Sequence, residues 1–225
     1  MQSDTPTADA RGNRERYHIL FVNNSPNIGS ACLYQLYQKV NSDFDPVPGL
    51  MSLAWFAKVI APATRDVFDW TMDYCFVWAG LGRLKPGNLF KPSQVLPADP
   101  SSTNKITFSS DGENFSFQNP AEQRPQGNLY INAGPFYPNQ AAVGIGMSGN
   151  GTFAAPARPQ WLYSFTPRGT YWIAFGDYKQ GQVLDVTQIN NPAEIVFPPG
   201  IYSMTVTLNR DNSWTIEPIF DGEDG

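Results

Sequence analysis

The sequence predicts an all-β protein: an antiparallel β-sandwich, jelly-roll-like or barrel-like, with long loops. Three observations carry this. Within the stretch Thr64 to Trp78 the chain alternates from Phe68 onward, with Phe68, Trp70, Met72, Tyr74, Phe76 and Trp78 on one side and Asp69, Thr71, Asp73, Cys75 and Val77 on the other. That is the period of a strand, and so large an apolar face has to be covered by another layer. Turn-forming clusters recur roughly every 8–15 residues, as they do in sandwiches and barrels. No stretch reads clearly as a helix, whose apolar positions would recur with a period of 3.6.

Taken in order, Arg16 to Asn24 reads as a first strand, with Tyr17, Ile19 and Phe21 against His18, Leu20 and Val22. Both faces are fairly apolar, which suits a central position. The Asn, Ser, Pro and Gly of 23–30 mark a turn, and Ala31 to Tyr37 reads as the partner strand. Asn41 to Gly49 is a loop, because Asp45-Pro46 and Pro48-Gly49 interrupt it. Leu50 to Ile60 fits either a helix or a strand, and the strand-rich surroundings favour the strand. The long strand at 64–78 follows Pro62, and Gly80 to Gly87 is a turn. Asp111-Gly112 between two alternating runs predicts a hairpin. Six Pro and six Gly between Asn119 and Gln160 predict long loops around short strands at Leu129–Asn132 and Ala141–Met147. Thr170 to Phe175 and Gln182 to Ile189 read as strands. Ile201–Asn209 and Ser213–Ile219 form a hairpin with one dry face, Trp214 and Ile216 pointing inward. The expected organisation is a polar tail at 1–15, a single sandwich at 16–220 and an acidic tail at 221–225.

Composition narrows the function. The net charge is −5 and the basic residues are dispersed, which argues against a nucleic-acid surface. No apolar run is long enough for a membrane span. The first sixteen residues lack the apolar core of a secretory signal, so a cytoplasmic location is expected. Cys32 and Cys75 are expected as buried thiols, with a disulfide between them the alternative. The sequons at Asn23, Asn114 and Asn150 carry little weight without a secretion signal.

Gly144, Gly146 and Gly149 match the G-x-G-x-x-G of dinucleotide sites, but such a site needs a helix after the glycines. Pro156 and Pro159 make that helix improbable, so a glycine-rich strand end approached closely by another backbone is expected. His18 is the single histidine. Without a nucleophile elbow or a second nitrogen ligand it reads as a structural or interface residue. Asp66, Asp69 and Asp73 are near one another in sequence and are the candidates for a metal or for glycosidase-like acid/base work; a solvated face is the simpler reading.

The aromatics are the remaining signal: 6 Trp, 10 Tyr and 15 Phe. Trp55 sits beside Phe56 and Tyr171 beside Trp172. On a strand both members of such a pair cannot face one core, so one of each is expected to line a pocket, an interface or a second layer.

The blocks FVNNSPNIGSACLYQ, MSLAWFAK, DYCFVWAGLGRLKPG, AVGIGMSGNGTFAAPA, FTPRGTYWIAFGDYKQGQVLD and MTVTLNRDNSWTI, in this order and covering nearly the whole chain after residue 16, resemble the rhizosphere-induced protein family. The resemblance implies a β-rich, non-enzymatic, cytosolic-type protein and supplies no catalytic residues. Length and composition also resemble the pink-coloured pigment protein of an edible mushroom, a fungal chromoprotein that holds a small aromatic chromophore. The expected function is therefore non-enzymatic binding of a small, flat, apolar ligand, a pigment among the candidates. Trp55, Phe56, Tyr171, Trp172 and His18 are the expected ligand contacts, and Trp172→Ala is expected to weaken binding. The alternatives are a carbohydrate-binding or surface-interaction protein and a carboxylate-dependent hydrolase. Exposed sheet edges make a homodimer the expected assembly.

Overall fold

The computed structural model describes residues 16–37, 47–167 and 169–220. The expected N-terminal and acidic tails, and most of the Asn41–Gly49 loop, lie outside these residues. In chain order the strands are β1 (Arg16–Asn23), β2 (Gly29–Tyr37), β3 (Met51–Ser52), β4 (Phe56–Ile60), β5 (Thr64–Thr71), β6 (Tyr74–Ala79), β7 (Gln94–Pro97), β8 (Lys105–Ser110) and β9 (Phe115–Ala121). They continue with β10 (Leu129–Ala133), β11 (Ala142–Met147), β12 (Asn150–Pro156), β13 (Leu162–Phe165), β14 (Gly169–Gly176), β15 (Ala193–Ile195), β16 (Ser203–Leu208) and β17 (Trp214–Pro218). One 3-10 turn, Val186–Gln188, is the sole helical element among the described residues. No helix there is long and apolar enough to cross a membrane.

The strands form open sheets ordered β17-β16-β1-β5, β15-β14-β2-β4, β3-β12-β11-β6-β7 and β13-β10-β8-β9. The first two face each other across a core containing Ile19, Phe21, Leu33, Phe68, Ile173 and Val206. The last two enclose a second core containing Phe76, Ile106, Ile131, Val143, Phe153 and Phe165. The all-β sandwich is thus borne out, and the barrel-like variant is not, because no sheet closes. Pairing is mostly antiparallel, but β1 runs parallel to β16 and β10 parallel to β8.

Several expectations need correction. β1 and β2 are not partners. β1 pairs with β16 and β5, and β2 with β14 and β4, so the two face each other across the first core. The 64–78 strand is broken at Met72-Asp73. β5 pairs with β1 while β6 pairs with β11, so one alternating run serves both sandwiches. Ser148 holds the break: the Thr71 amide donates to its hydroxyl at 3.1 Å, and that hydroxyl donates to the Thr71 carbonyl and to Asp73 Oδ1 at 3.1 Å each. The expected strand at Gln182–Ile189 is only bridges at Gln182 and Val183 followed by the 3-10 turn. Conversely, 119–160 holds β12 and the end of β9, and β13 follows at once; all lay in or beside the expected loops. Pro156 ends β12, Pro120 sits at the irregularity in the β8–β9 pairing, and the other Pro lie in the connections, so they did not preclude pairing.

Leu50–Ile60 is likewise not one strand. Between β3 and β4, Leu53, Ala54 and Trp55 are fully buried and irregular, and each enters a different apolar cluster. The Asp111-Gly112 hairpin (β8–β9) and the β16–β17 hairpin form as expected. So does the glycine-rich strand end. Gly144 and Gly146 lie in β11, and a Cβ there would stand 2.0 Å from the Phe153 carbonyl oxygen or 1.9 Å from that of Asn150. Ser148 and Gly149, at φ 48° and 75°, make the turn into β12. No nucleotide-binding helix follows.

Candidate functional site

Where the two sandwiches meet, the β5–β6 crossover, the start of β14 and the loops before β8 and β10 leave a cleft of about 390 Å³. It is lined by Tyr17, Gln35, Met72, Tyr74, Pro100, Gly127, Pro167, Gly169 and Tyr171. The residue types follow from the elements. Tyr17 and Tyr171 sit on inward-facing positions of β1 and β14, near the strand ends. Met72, 41% exposed, lies in the crossover, where alternation would have buried it had the strand continued. Gly169 lets β14 start close against β2, since a Cβ there would stand 3.0 Å from that of Gln35. Two walls are tied by a backbone bond, the Gly127 amide to the Pro100 carbonyl at 2.9 Å. Across the mouth, the Tyr74 hydroxyl donates to the Pro167 carbonyl at 3.1 Å.

Behind the cleft the aromatic rings are continuous. Tyr17 stacks on Trp70 at 5.4 Å and 9° and meets Phe197 edge-on at 5.0 Å. Tyr171 contacts Trp70 at 5.3 Å, and Trp55 contacts Trp70 at 5.3 Å. Such pairs add attraction beyond burial. Burial pushes the Tyr171 phenol up to about 12; the Trp70 indole N–H opposes this and the neighbouring Tyr17 and Tyr74 add to it. No hydrogen bond of normal geometry reaches Trp70 Nε1, although it is buried. Among the described residues the cleft lining includes no Asp, Glu, Lys, Arg or His, and its polar side chains are the phenols and one buried amide, Gln35.

The sequence-derived contacts are divided among several places. Tyr171 lines the cleft. Trp55 has no exposed surface, and its indole N–H donates to the Met147 carbonyl at 3.0 Å. Phe56 packs on Trp55 at 4.5 Å. The premise that these neighbours face opposite ways fails because Trp55 precedes β4 and lies off its alternation; both join the first core. Trp172 is on the other face of β14, in the cluster around Cys32 and Tyr34, and donates to Thr170 Oγ1 at 2.8 Å. His18 is on the outer face of β1, its Nδ1 2.9 Å from Asp69 Oδ1.

The carboxylates are also separate. Asp66 pairs with Lys58 at 3.0 Å. Burial works against its ionisation, but hydrogen bonds from Lys58 and the Val67 amide, with the Lys58 charge, hold the carboxyl below its usual range. Asp69 also meets Arg16 at 3.4 Å, and Asp73 accepts from Thr71 and Ser148. No group of three or more His, Cys, Asp or Glu among the described residues could hold a metal ion. Cys32 and Cys75 are free and buried, with no disulfide between them. Asn23 has no exposed surface, and its amide donates to the Asn27, Ile60 and Ala61 carbonyls, so this sequon is inaccessible.

Sequence reasoning missed Tyr17, Met72 and Tyr74 as cleft residues, and it missed Asn104. Asn104 is fully buried. Its Nδ2 donates to the Gln123 and Asn128 carbonyls at 2.9 and 3.1 Å, and its Oδ1 accepts from the Gln123 amide at 2.7 Å. It thereby holds the loop that carries Gly127. The one available signal was an Asn just before the hairpin strand.

Fold and cleft together define a class: an all-β protein of two packed sandwiches with an aromatic-walled cleft at their junction. The model of the RhiA family matches residues 14–218. Protein RhiA of Rhizobium leguminosarum bv. viciae is 36% identical over 222 residues, covering 96% of this chain and 93% of that protein. The chain belongs to the RhiA, or rhizosphere-induced protein, family. No solved structure matches it.

Proposed function

We propose that this protein binds, without chemical turnover, a small, flat, apolar ligand in the Tyr17–Tyr171 cleft. A conjugated pigment is a ligand of the right shape. The observation that carries the reading is the union of an open cleft of about 390 Å³ with a continuous ring cluster behind it. Small-molecule sites are typically concave, mostly apolar and supplied with a few polar anchors, in the range of roughly 300–1,000 Å³. Here the anchors are the Gln35 amide and the tyrosine hydroxyls, and the methionine and prolines of the rim adapt to a flat face. Open sheet edges support homodimerisation as part of the same reading, and sedimentation velocity tests it.

The test has two stages. Protein purified from its natural source is examined by absorption spectroscopy and native mass spectrometry; a visible band with a small excess mass is expected for a bound pigment. The ligand-free chain is then titrated with dansylamide, a neutral naphthalene dye, followed by its fluorescence. Saturable binding is expected, weakened about tenfold or more by Tyr171→Ala, a loss of about 1.4 kcal/mol or more. Trp172→Ala, on the opposite face of β14, is expected to leave it unchanged. No saturable binding, or equal binding by the Tyr171 variant, overturns the assignment.

A further inference from the structure

Gln35 breaks the pattern of its strand. On the inward face of β2, Leu33 belongs to the first core and Tyr37 packs against the second. Gln35 lies between them, at the junction of the sandwiches, where alternation calls for an apolar residue. It is 6% exposed and lines the cleft. Its backbone carbonyl accepts from Ser52 Oγ at 2.7 Å, but no described residue hydrogen-bonds to its side-chain amide. The fully buried amides use both ends. Asn23 donates to the Asn27 carbonyl and accepts from the Ser25 amide. Asn104 donates to the Gln123 carbonyl and accepts from the Gln123 amide. A buried polar group without a partner costs stability, so its presence calls for an explanation.

The Gln35 amide opens onto the cleft. Among the described residues, the unpartnered side-chain polar atoms that are sealed from solvent are the indole nitrogens of Trp70 and Trp161, and neither polar atom of Gln35 joins them. Gly169 lines the same wall, and a Cβ there would stand 3.3 Å from Gln35 Cδ, so the amide lies against that glycine. On β14 the residue paired with Gln35 is Tyr171, and paired residues on one face hold their Cβ atoms about 4.5–5.5 Å apart. A phenol ring and an unpartnered amide thus stand side by side in the cleft wall.

A carboxamide presents an N–H donor and a carbonyl acceptor in one plane. Its complement is an acceptor beside a donor, the same pairing by which a Gln side chain reads the edge of adenine. That complement is neutral, because the described lining has no charged side chain to meet an ion. We infer that the ligand of the aromatic cleft is a flat ring with a lactam-type edge, an N–H beside a C=O, read by the Gln35 amide next to Tyr171. This rests on the proposed aromatic cleft and names the polar edge of its ligand.

The probes are 2-quinolone, a two-ring lactam, and coumarin, which has the same outline with a ring oxygen in place of the N–H. Isothermal calorimetry on the full chain reads both. 2-Quinolone is expected to bind about tenfold more tightly, since coumarin leaves the Gln35 carbonyl without a donor. Gln35→Met keeps an unbranched side chain and is expected to abolish that preference by weakening 2-quinolone about tenfold while leaving coumarin unchanged. The same variant is expected to unfold at a Tm no lower than the native chain, because it removes a polar group that has no protein partner. Tyr171→Ala is expected to weaken both probes. Equal affinity of the two probes, binding of neither while dansylamide binds, a preference that survives Gln35→Met, or a Tm lowered by more than about 4 °C in that variant overturns the lactam edge and leaves the aromatic cleft standing. Failure of both probes and of dansylamide to bind overturns the cleft, and the lactam edge with it.

Discussion

Single side chains shape the cleft from behind its walls. Asn104 is the clearest case, because its buried amide serves three backbone groups of the loop that carries Gly127. Truncation would leave those part-buried carbonyls and that amide without this partner, which costs up to about 1–3 kcal/mol per group with partial relief from solvent and relaxation. Asn104→Ala is expected to lower the urea unfolding free energy by roughly 2–4 kcal/mol and to weaken dansylamide binding, since the Gly127 wall loosens. Ser148 has a comparable place at the β5–β6 break. At this scale the sequence was least legible. Nothing in the local pattern distinguishes Asn104 from a surface Asn, because its partners come from residues 19 and 24 positions away.

Among the elements, the β11–β12 hairpin depends on two glycines. Their neighbours approach at 2.0 and 1.9 Å from where a Cβ would be, and the contacts are backbone carbonyls that cannot rotate away. Gly146→Ala is expected to destabilise the chain by more than about 3 kcal/mol, the upper end of ordinary overpacking. Thermal unfolding checks it, and Gly80→Ala provides a milder comparison, because nothing lies within 4 Å of a Cβ there and its backbone is not in the left-handed region. The hairpin was readable in advance as a close-approach strand, since its prolines excluded the helix a nucleotide site requires. The β5–β6 crossover was not. Period-two alternation continues through Met72-Asp73 because both sandwiches want large side chains on the same side of the chain. The change of sheet therefore leaves no mark in the pattern.

For the whole molecule, buried thiols and phenols predict the response to alkali. Burial pushes the Tyr171 phenol and the Cys75 thiol each up to about 12, and raises Cys32, Tyr34, Tyr163 and Tyr178 as well. A group whose value is raised by folding contributes stability that is full below its unfolded value and is lost as pH rises toward the folded one. Stability is therefore expected to fall from about pH 8.5, where unfolded thiols begin to ionise, through about 10 for the phenols and onward. Tyrosinate absorbance should show a late, cooperative fraction. At pH 8 a thiol reagent is expected to label neither Cys32 nor Cys75 in the native chain and both in denaturant. Labelling of a native thiol, or of neither in denaturant, contradicts the free, buried pair.

The sequence alone determined the all-β class, the run of the stronger strands, the two main hairpins, buried free cysteines as the favoured state and the family. These depend on local periodicity, turn chemistry and ordered blocks, which are written in consecutive residues. Only the tertiary structure decided that β1 and β2 oppose rather than pair, that the sheets stay open as two sandwiches, and that Trp55 is core while Tyr17, Tyr74 and Tyr171 meet at the cleft. Alternation says which side of a strand a residue is on, but not which sheet the strand joins. The cleft exists because one alternating run changes sheets, and only long-range pairing specifies that change.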